Sequence, residues 1–293
     1  MATRTAAPFA GISWLKDSFG LLRNRPGTLV GAGLMIFLFA LLPSLLTIPL
    51  QLMNPGDMRV VGLSFVLSIA VGFAVVPLMG GYLQMLDRMQ RGEPTQATDI
   101  FGPYRQGGAM RLMGFALLWM VLLIGLVALI GLTFGAAFFQ WYAGLVSHPF
   151  ADPQATGMAG IPPGFWIVFL SIFVVAMFAM GVSALGYGQV AIAGGGPLEA
   201  LRDGVVGTVR NIVPLLMLLL ASVAAWTAFC VVFFLVALLL NALHLNWLGL
   251  IVFVPLYIAF LLAIYPLMFG VMYYFWRDVC SEPRQPVTAQ TFA

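Results

Sequence analysis

Residues 14–27 read WLKDSFGLLRNRPG, and residues 28–42 continue as TLVGAGLMIFLFALL. The first stretch holds Trp14, Lys16, Asp17, Arg23 and Arg25; the second holds no charge at all. Three readings compete: a cleavable signal, a soluble cap, or a helix lying on a membrane. A secretory signal has a short apolar core and a small-residue cleavage site. Here the apolar run is long and several more follow it, so a signal peptide is not expected. On a helix, residues 12–24 place Ile12, Leu15, Phe19 and Leu22 on one face. Ser13, Lys16, Asp17, Arg23 and Asn24 take the other. That spacing predicts an amphipathic in-plane helix. Trp14 is its expected interfacial anchor, and Pro26–Gly27 turn the chain into the first span.

The rest of the chain supports a membrane setting. Of 293 residues, 62% are hydrophobic and 8% charged, against about 25% charged in an ordinary soluble domain. Mean hydropathy is +1.03. Such a chain cannot cover a water-facing surface, so lipid must solvate most of it. Apolar runs of spanning length occupy roughly 27–53, 60–86, 112–140, 164–193, 212–243 and 247–275. The expected fold is all-α: one membrane domain over 1–293, with six transmembrane helices and amphipathic cytoplasmic interfacial helices. A disordered tail is expected over about 281–293.

The net charge is +3 and the chain has 13 Lys and Arg residues. All but Arg59 fall before the first span, between spans two and three, between four and five, or after six. This asymmetry is a topology signal that puts both termini in the cytoplasm, and it leaves no basic patch to suggest nucleic acid. Trp141, Tyr142, Trp166 and Trp247 fall where an outer aromatic belt would sit, Trp14 and Trp276 where an inner one would. Cys230 and Cys280 form no ligand or disulfide pattern, and no cofactor or metal is expected.

Residues 198–211, LEALRDGVVGTVRN, repeat the device of residues 12–24. Leu198, Leu201, Val205 and Val209 oppose Glu199, Arg202, Asp203 and Arg210, with Pro197 at a good helix start. Residues 99–111 are a weaker third case, broken by Pro103 and Gly107–Gly108. LKDSFGLLRN at 15–24 echoes LRDGVVGTVRN at 201–211, and PLMGG at 77–81 echoes PLMFG at 266–270. These echoes predict repeat-like units over about 12–91, 99–193 and 198–278.

At these landmarks the chain resembles bacterial inner-membrane proteins related to the membrane domain found beside glycerophosphodiester phosphodiesterases. The residues that carry the resemblance are Trp14 with RNRPG, PLEALRDG from Pro197, and Pro266 with Gly270. The resemblance implies a six-span domain in a bacterial inner membrane. No soluble phosphodiesterase domain follows within these residues, so that activity does not carry over.

Chemistry-bearing patterns are sparse. All acids, from Asp17 to Glu282, fall in loops or at span ends, which weighs against proton-driven transport. GVSA at 181–184 fails a Gly-x-Ser-Gly pattern at Ala184, and its Ser183 is expected to pack rather than react with His148 or His244. GYGQVAIAGGGP at 186–197 lacks the Lys-Ser/Thr of a phosphate loop and is read as a flexible exit from span four. Gly131 and Gly135 form a G-x-x-x-G expected to pack closely. Lys16, Arg23, Arg25, Arg202 and Arg210 either bind anionic lipid or pair locally with Asp17 and Asp203, which could also cap helix ends; the mixed signs favour the second. The leading expectation is a non-enzymatic membrane protein serving envelope organisation or partner assembly. Its partners would be lipids, and other membrane proteins or further copies of the chain. The competing expectation is a permease whose cavity Gln51, Gln84, Gln189 and Asn241 would line.

Overall fold

The computed structural model describes residues 3–54, 57–147, 164–243 and 245–280. The expected tail at 281–293 and both histidines lie outside the described residues. Among those described, every regular element is helical. The order is α1 (Ala10–Asn24), α2 (Pro26–Met53), α3 (Met58–Gln90), a 3₁₀ turn (Ala97–Phe101), α4 (Gly102–Arg105), α5 (Ala109–Phe134), α6 (Ala136–Ser147), α7 (Phe165–Ala191), α8 (Pro197–Arg210), α9 (Ile212–Ala242) and α10 (Asn246–Cys280). Six of them, α2, α3, α5, α7, α9 and α10, are long and apolar enough to cross a membrane.

Local chemistry sets the joints. Pro26 is the first residue of α2 and holds Arg25 outside the helical region, at φ −140° and ψ 62°. A proline disfavours helical backbone in the residue before it and itself suits a helix start. Pro197 does the same for α8, with Gly196 extended. The Asp57 carboxylate accepts from the Arg59 N–H at 2.8 Å and so caps α3. The third apolar run is not one helix: it stops at Gly135, whose N–H donates to the Gly131 carbonyl. Gly131 and Gly135 therefore mark a helix end rather than the middle of a packing seam. The expected exit over 186–197 is shorter than read: α7 stays helical through Gly186 and Gly188 to Ala191, and residues 192–196 link it to α8.

The core sits at one end of the bundle. We call the base the end that carries residues 3–25, 87–111, 192–211 and 276–280; every described Lys and Arg except Arg59 belongs to it. α3 and α10 have 33 and 35 residues, about 50 Å of helix against a lipid core of about 30 Å. Their excess length lies in the base and is packed there. Buried residues of α3 run from Val76 to Met89, and the α7 and α10 ends bury Gly181–Ala191 and Phe269–Cys280 almost without interruption. Ring pairs fill the centre: Tyr82 on Phe269 at 4.5 Å, Trp14 on Phe275 at 4.8 Å, and Phe115 on Tyr187 at 5.0 Å. Away from the base the spans leave Leu45, Phe65, Leu132, Phe169 and Val232 exposed, as a lipid-solvated surface requires.

The short base elements interlock with the spans. α1 docks on α9 and α10, the 3₁₀ turn docks on α2 and α3 with α4 beside it on α3, and α8 docks on α5 and α7. Each thus rests on the pair of spans that precedes it, and the first rests on the last pair. Gly81 and Gly270, which hold the same place in the two Pro-Leu-Met-x-Gly stretches, put bare backbone against Ile100 and Ser18 of the docked element.

Both amphipathic helices bury a face rich in small residues and leave part of the apolar face exposed. α1 buries Gly11, Trp14, Ser18 and Leu21, while Ile12 and Phe19 are exposed. α8 buries Ala200, Gly204, Gly207 and Thr208, while Leu198 and Val209 are exposed. Lipid is as apolar as leucine, so the large apolar side chains can stay outside and small residues bring helices close. Trp14, at 1% exposure, is a core residue and not an interfacial anchor, and Trp276 is likewise buried.

Thr208 presents a test of this packing. Its hydroxyl is buried against Gly181 without a hydrogen-bond partner among the described residues. Thr208→Val should leave the unfolding midpoint in detergent unchanged or raise it, by up to about 1 kcal/mol of stability. Gly81→Ala, whose methyl would overlap the Ile100 backbone, should lower stability by about 1–3 kcal/mol. The opposite order in a thermal-melt series would refute this packing.

Candidate functional site

The base is where the polar side chains converge. Indole, phenol and amide groups of the bundle core provide the donors. Trp14 Nε1 donates to Asp278 Oδ2 at 2.7 Å and joins α1 to α10. Trp276 Nε1 donates to Gln189 Oε1 at 3.3 Å, and Gln189 Nε2 donates to Asp203 Oδ2 at 2.9 Å. That chain joins α10, α7 and α8. Tyr273 donates to Asp87 Oδ1 at 3.2 Å, and Asp87 also pairs with Arg91 at 2.8 Å. Arg277 lies over the Tyr274 ring at 4.5 Å, while Gln90 Nε2 donates to the Tyr274 hydroxyl at 3.3 Å.

The loops are tied in the same way. Gln84 Nε2 donates to the Ala191 carbonyl at 2.6 Å, at the end of α7. Arg111 reaches the Gly194 carbonyl at 2.7 Å, and Arg88 pairs with Asp99 at 3.7 Å. The Tyr104 hydroxyl donates to the Ala74 carbonyl of α3. Partial burial raises its proton affinity above that of an ordinary phenol, so it stays a donor.

Residues 3–6 form a strap across the ends of α8 and α10. The Arg4 N–H donates to the Val279 carbonyl at 3.0 Å. Arg210 Nη1 donates to the Thr3 carbonyl and hydroxyl at 3.1 and 3.2 Å. Asn211, fully buried, donates to the Arg4 carbonyl at 2.9 Å and accepts from the Ala6 N–H at 2.7 Å. It also donates to the Gly207 carbonyl at 2.8 Å. The amide therefore matches one strap residue's acceptor and a nearby donor, as a neighbouring strand would.

The expected site residues divide accordingly. Trp14, Arg210, Gln84 and Gln189 belong to this network. Lys16, Arg23, Arg25 and Arg202 are exposed on the base. Gln51 and Asn241 stand in the last turns of α2 and α9, at the opposite end of the bundle. The four residues expected to line one cavity thus do not meet. A cavity of about 500 Å³ between α9 and α10 is lined by Phe233, Leu240, Phe253 and Tyr257 among others, and by none of the four. Among the described residues no three His, Cys, Asp or Glu side chains are grouped to hold a metal ion. The sequence reading missed Asn211, Tyr273 and Asp278 as cross-links. The one signal for Asn211 was its place after an amphipathic helix and before a span.

Asn211→Ala would strip partners from the partly buried Arg4 carbonyl and Ala6 amide. The expected cost is about 1–3 kcal/mol, read as a lower unfolding midpoint and faster protease cleavage near residues 3–9. Wild-type protection of that segment would show that the amide does not hold the strap.

No family model, curated protein or solved structure matches this chain.

Proposed function

We propose that the chain is a non-enzymatic scaffold of the bacterial inner membrane, with both termini in the cytoplasm, that organises the envelope or assembles partner proteins. The carrying observation is that the polar groups converging at the base are engaged with one another across helices: Trp14 with Asp278, Trp276 with Gln189 and Asp203, Tyr273 with Asp87. Such a plate is built to hold a shape. The clustering of cations at the base supports a cytoplasmic placement for that end. The interlocked base elements and the shared use of Gly81 and Gly270 support an origin in duplicated units.

Passage of a small or lipidic substrate is the competing reading. The cavity between α9 and α10 speaks for it, but Gln84 and Gln189 are committed to helix contacts elsewhere.

Affinity capture in native-lipid particles, followed by mass spectrometry, should return envelope or membrane proteins at near-equal stoichiometry. Proteoliposomes should show no solute flux above protein-free vesicles. Flux that Gln189→Leu abolishes would replace the scaffold with a permease. Cysteines placed at Lys16 and Arg59 should label from opposite sides of intact cells, Arg59 from outside.

A further inference from the structure

α1 crosses the α9–α10 hairpin at a single height. Trp226 meets Phe260 and Phe233 meets Phe253, a register that sets Gly270 of α10 level with Leu216 of α9. Gly11 of α1 backs onto Pro214 and Leu218, and Ser18 backs onto Gly270. Both contacts therefore fall at the height of Leu216, and α1 runs across the two spans, parallel to the membrane plane. At that height α9 is already turned to lipid: Leu216 and Leu220 are 40% and 54% exposed. The outward face of α1 thus borders the headgroups of the leaflet on the base side.

That face carries Ile12, Lys16, Phe19 and Arg23, spaced so that they form one line along the helix, opposite the buried Trp14, Ser18 and Leu21. All four are exposed. The line alternates apolar and cationic side chains and holds no acid. Asp17 lies round the helix on the side of Tyr274, where its charge acts on that hydroxyl. Among the described residues neither Lys16 nor Arg23 joins an ion pair, whereas Asp87, Asp99 and Asp278 of the base each hold an arginine. The local pairing expected between Asp17 and the α1 cations is therefore not formed. On an in-plane helix, long cationic side chains lay their stems along acyl chains and their heads among phosphates. Cations without an acid beside them favour a lipid of net negative charge over one that carries its own ammonium. We propose that the outward line of α1 binds anionic phospholipid of the leaflet on the base side. Lys16 and Arg23, about 10 Å apart along the helix, each take a phosphate, and Ile12 and Phe19 sit between the acyl chains. The inference rests on the membrane placement of the six spans and is independent of the scaffold role.

The test uses the whole protein in nanodiscs of equimolar phosphatidylglycerol and phosphatidylethanolamine, with retained lipid identified by native mass spectrometry after removal of the disc. The wild type should keep phosphatidylglycerol in preference to phosphatidylethanolamine. Lys16→Gln and Arg23→Gln should each lower that preference about fivefold. Both side chains are exposed, so neither change disturbs the core. Arg105→Gln, at an exposed arginine of α4 away from the line, should change nothing. A loss there equal to that of Arg23→Gln would reduce the effect to the net charge of the base and overturn the proposal. Equal retention of the two lipids by the wild type, or a preference that either α1 substitution leaves unaltered, would also overturn it. So would a dimer in the same spectra that Phe19→Gln dissolves, because a second copy would then cover the line. None of these results bears on the capture of other proteins or on solute flux.

Discussion

The Trp276 indole is the contact on which the base depends. It packs against Gly188 of α7, so closely that a methyl there would overlap the ring. Its N–H goes to Gln189, and the other end of that amide holds Asp203 of α8. One side chain of the last helix thus sets the spacing of α7 and α10 and orients a third helix. The geometry admits little variation: the ring needs bare backbone beneath it, and a buried amide near lipid has no water to fall back on.

Two solvents divide the molecule. In the base, long helices extend beyond the reach of lipid and pack with the aromatic interior and hydrogen-bonded acids of a soluble core. Further along, the same helices expose leucine, valine and phenylalanine on most sides, and apolar burial offers little drive for them to associate. Cohesion is therefore supplied at one end. The order in which base elements dock strengthens it: α1 rests on the last pair of spans, so the ring of contacts closes through the first and last helices. The strap at residues 3–6 adds a second closure between the same ends, at Val279 and Asn211.

How much was legible in the sequence varies with the element. The spans could be read because lipid demands about 20 apolar residues in each, and a proline at a helix start is a local signal. Hence α2 begins at Pro26 and α8 at Pro197. The interfacial helices were also legible as helices. Their inward faces were not, because apolar periodicity marks the face toward the most apolar surroundings, which here are lipid. Gly204 and Gly207 belong to neither of the faces that the periodicity marks, yet they bring α8 against α7. The polar residues were noticed one at a time. Gln189 was expected to line a cavity, and nothing near it in the chain names Trp276 or Asp203 as partners.

The sequence by itself determined an all-α chain with six spans and a strong charge asymmetry between its two ends. These follow from composition, segment length and local backbone chemistry, which act within a few turns of one another. The tertiary structure alone decided that Trp14 and Trp276 lie inside, that small residues rather than large apolar ones join the helices, and that Gln84 and Gln189 serve contacts while Gln51 and Asn241 stand at the far end. Those outcomes depend on which surfaces meet between separate helices, 87 residues apart for Gln189 and Trp276 and 264 for Trp14 and Asp278. In lipid, that choice follows shape and hydrogen-bond complementarity, since hydrophobicity favours no one apolar face over another.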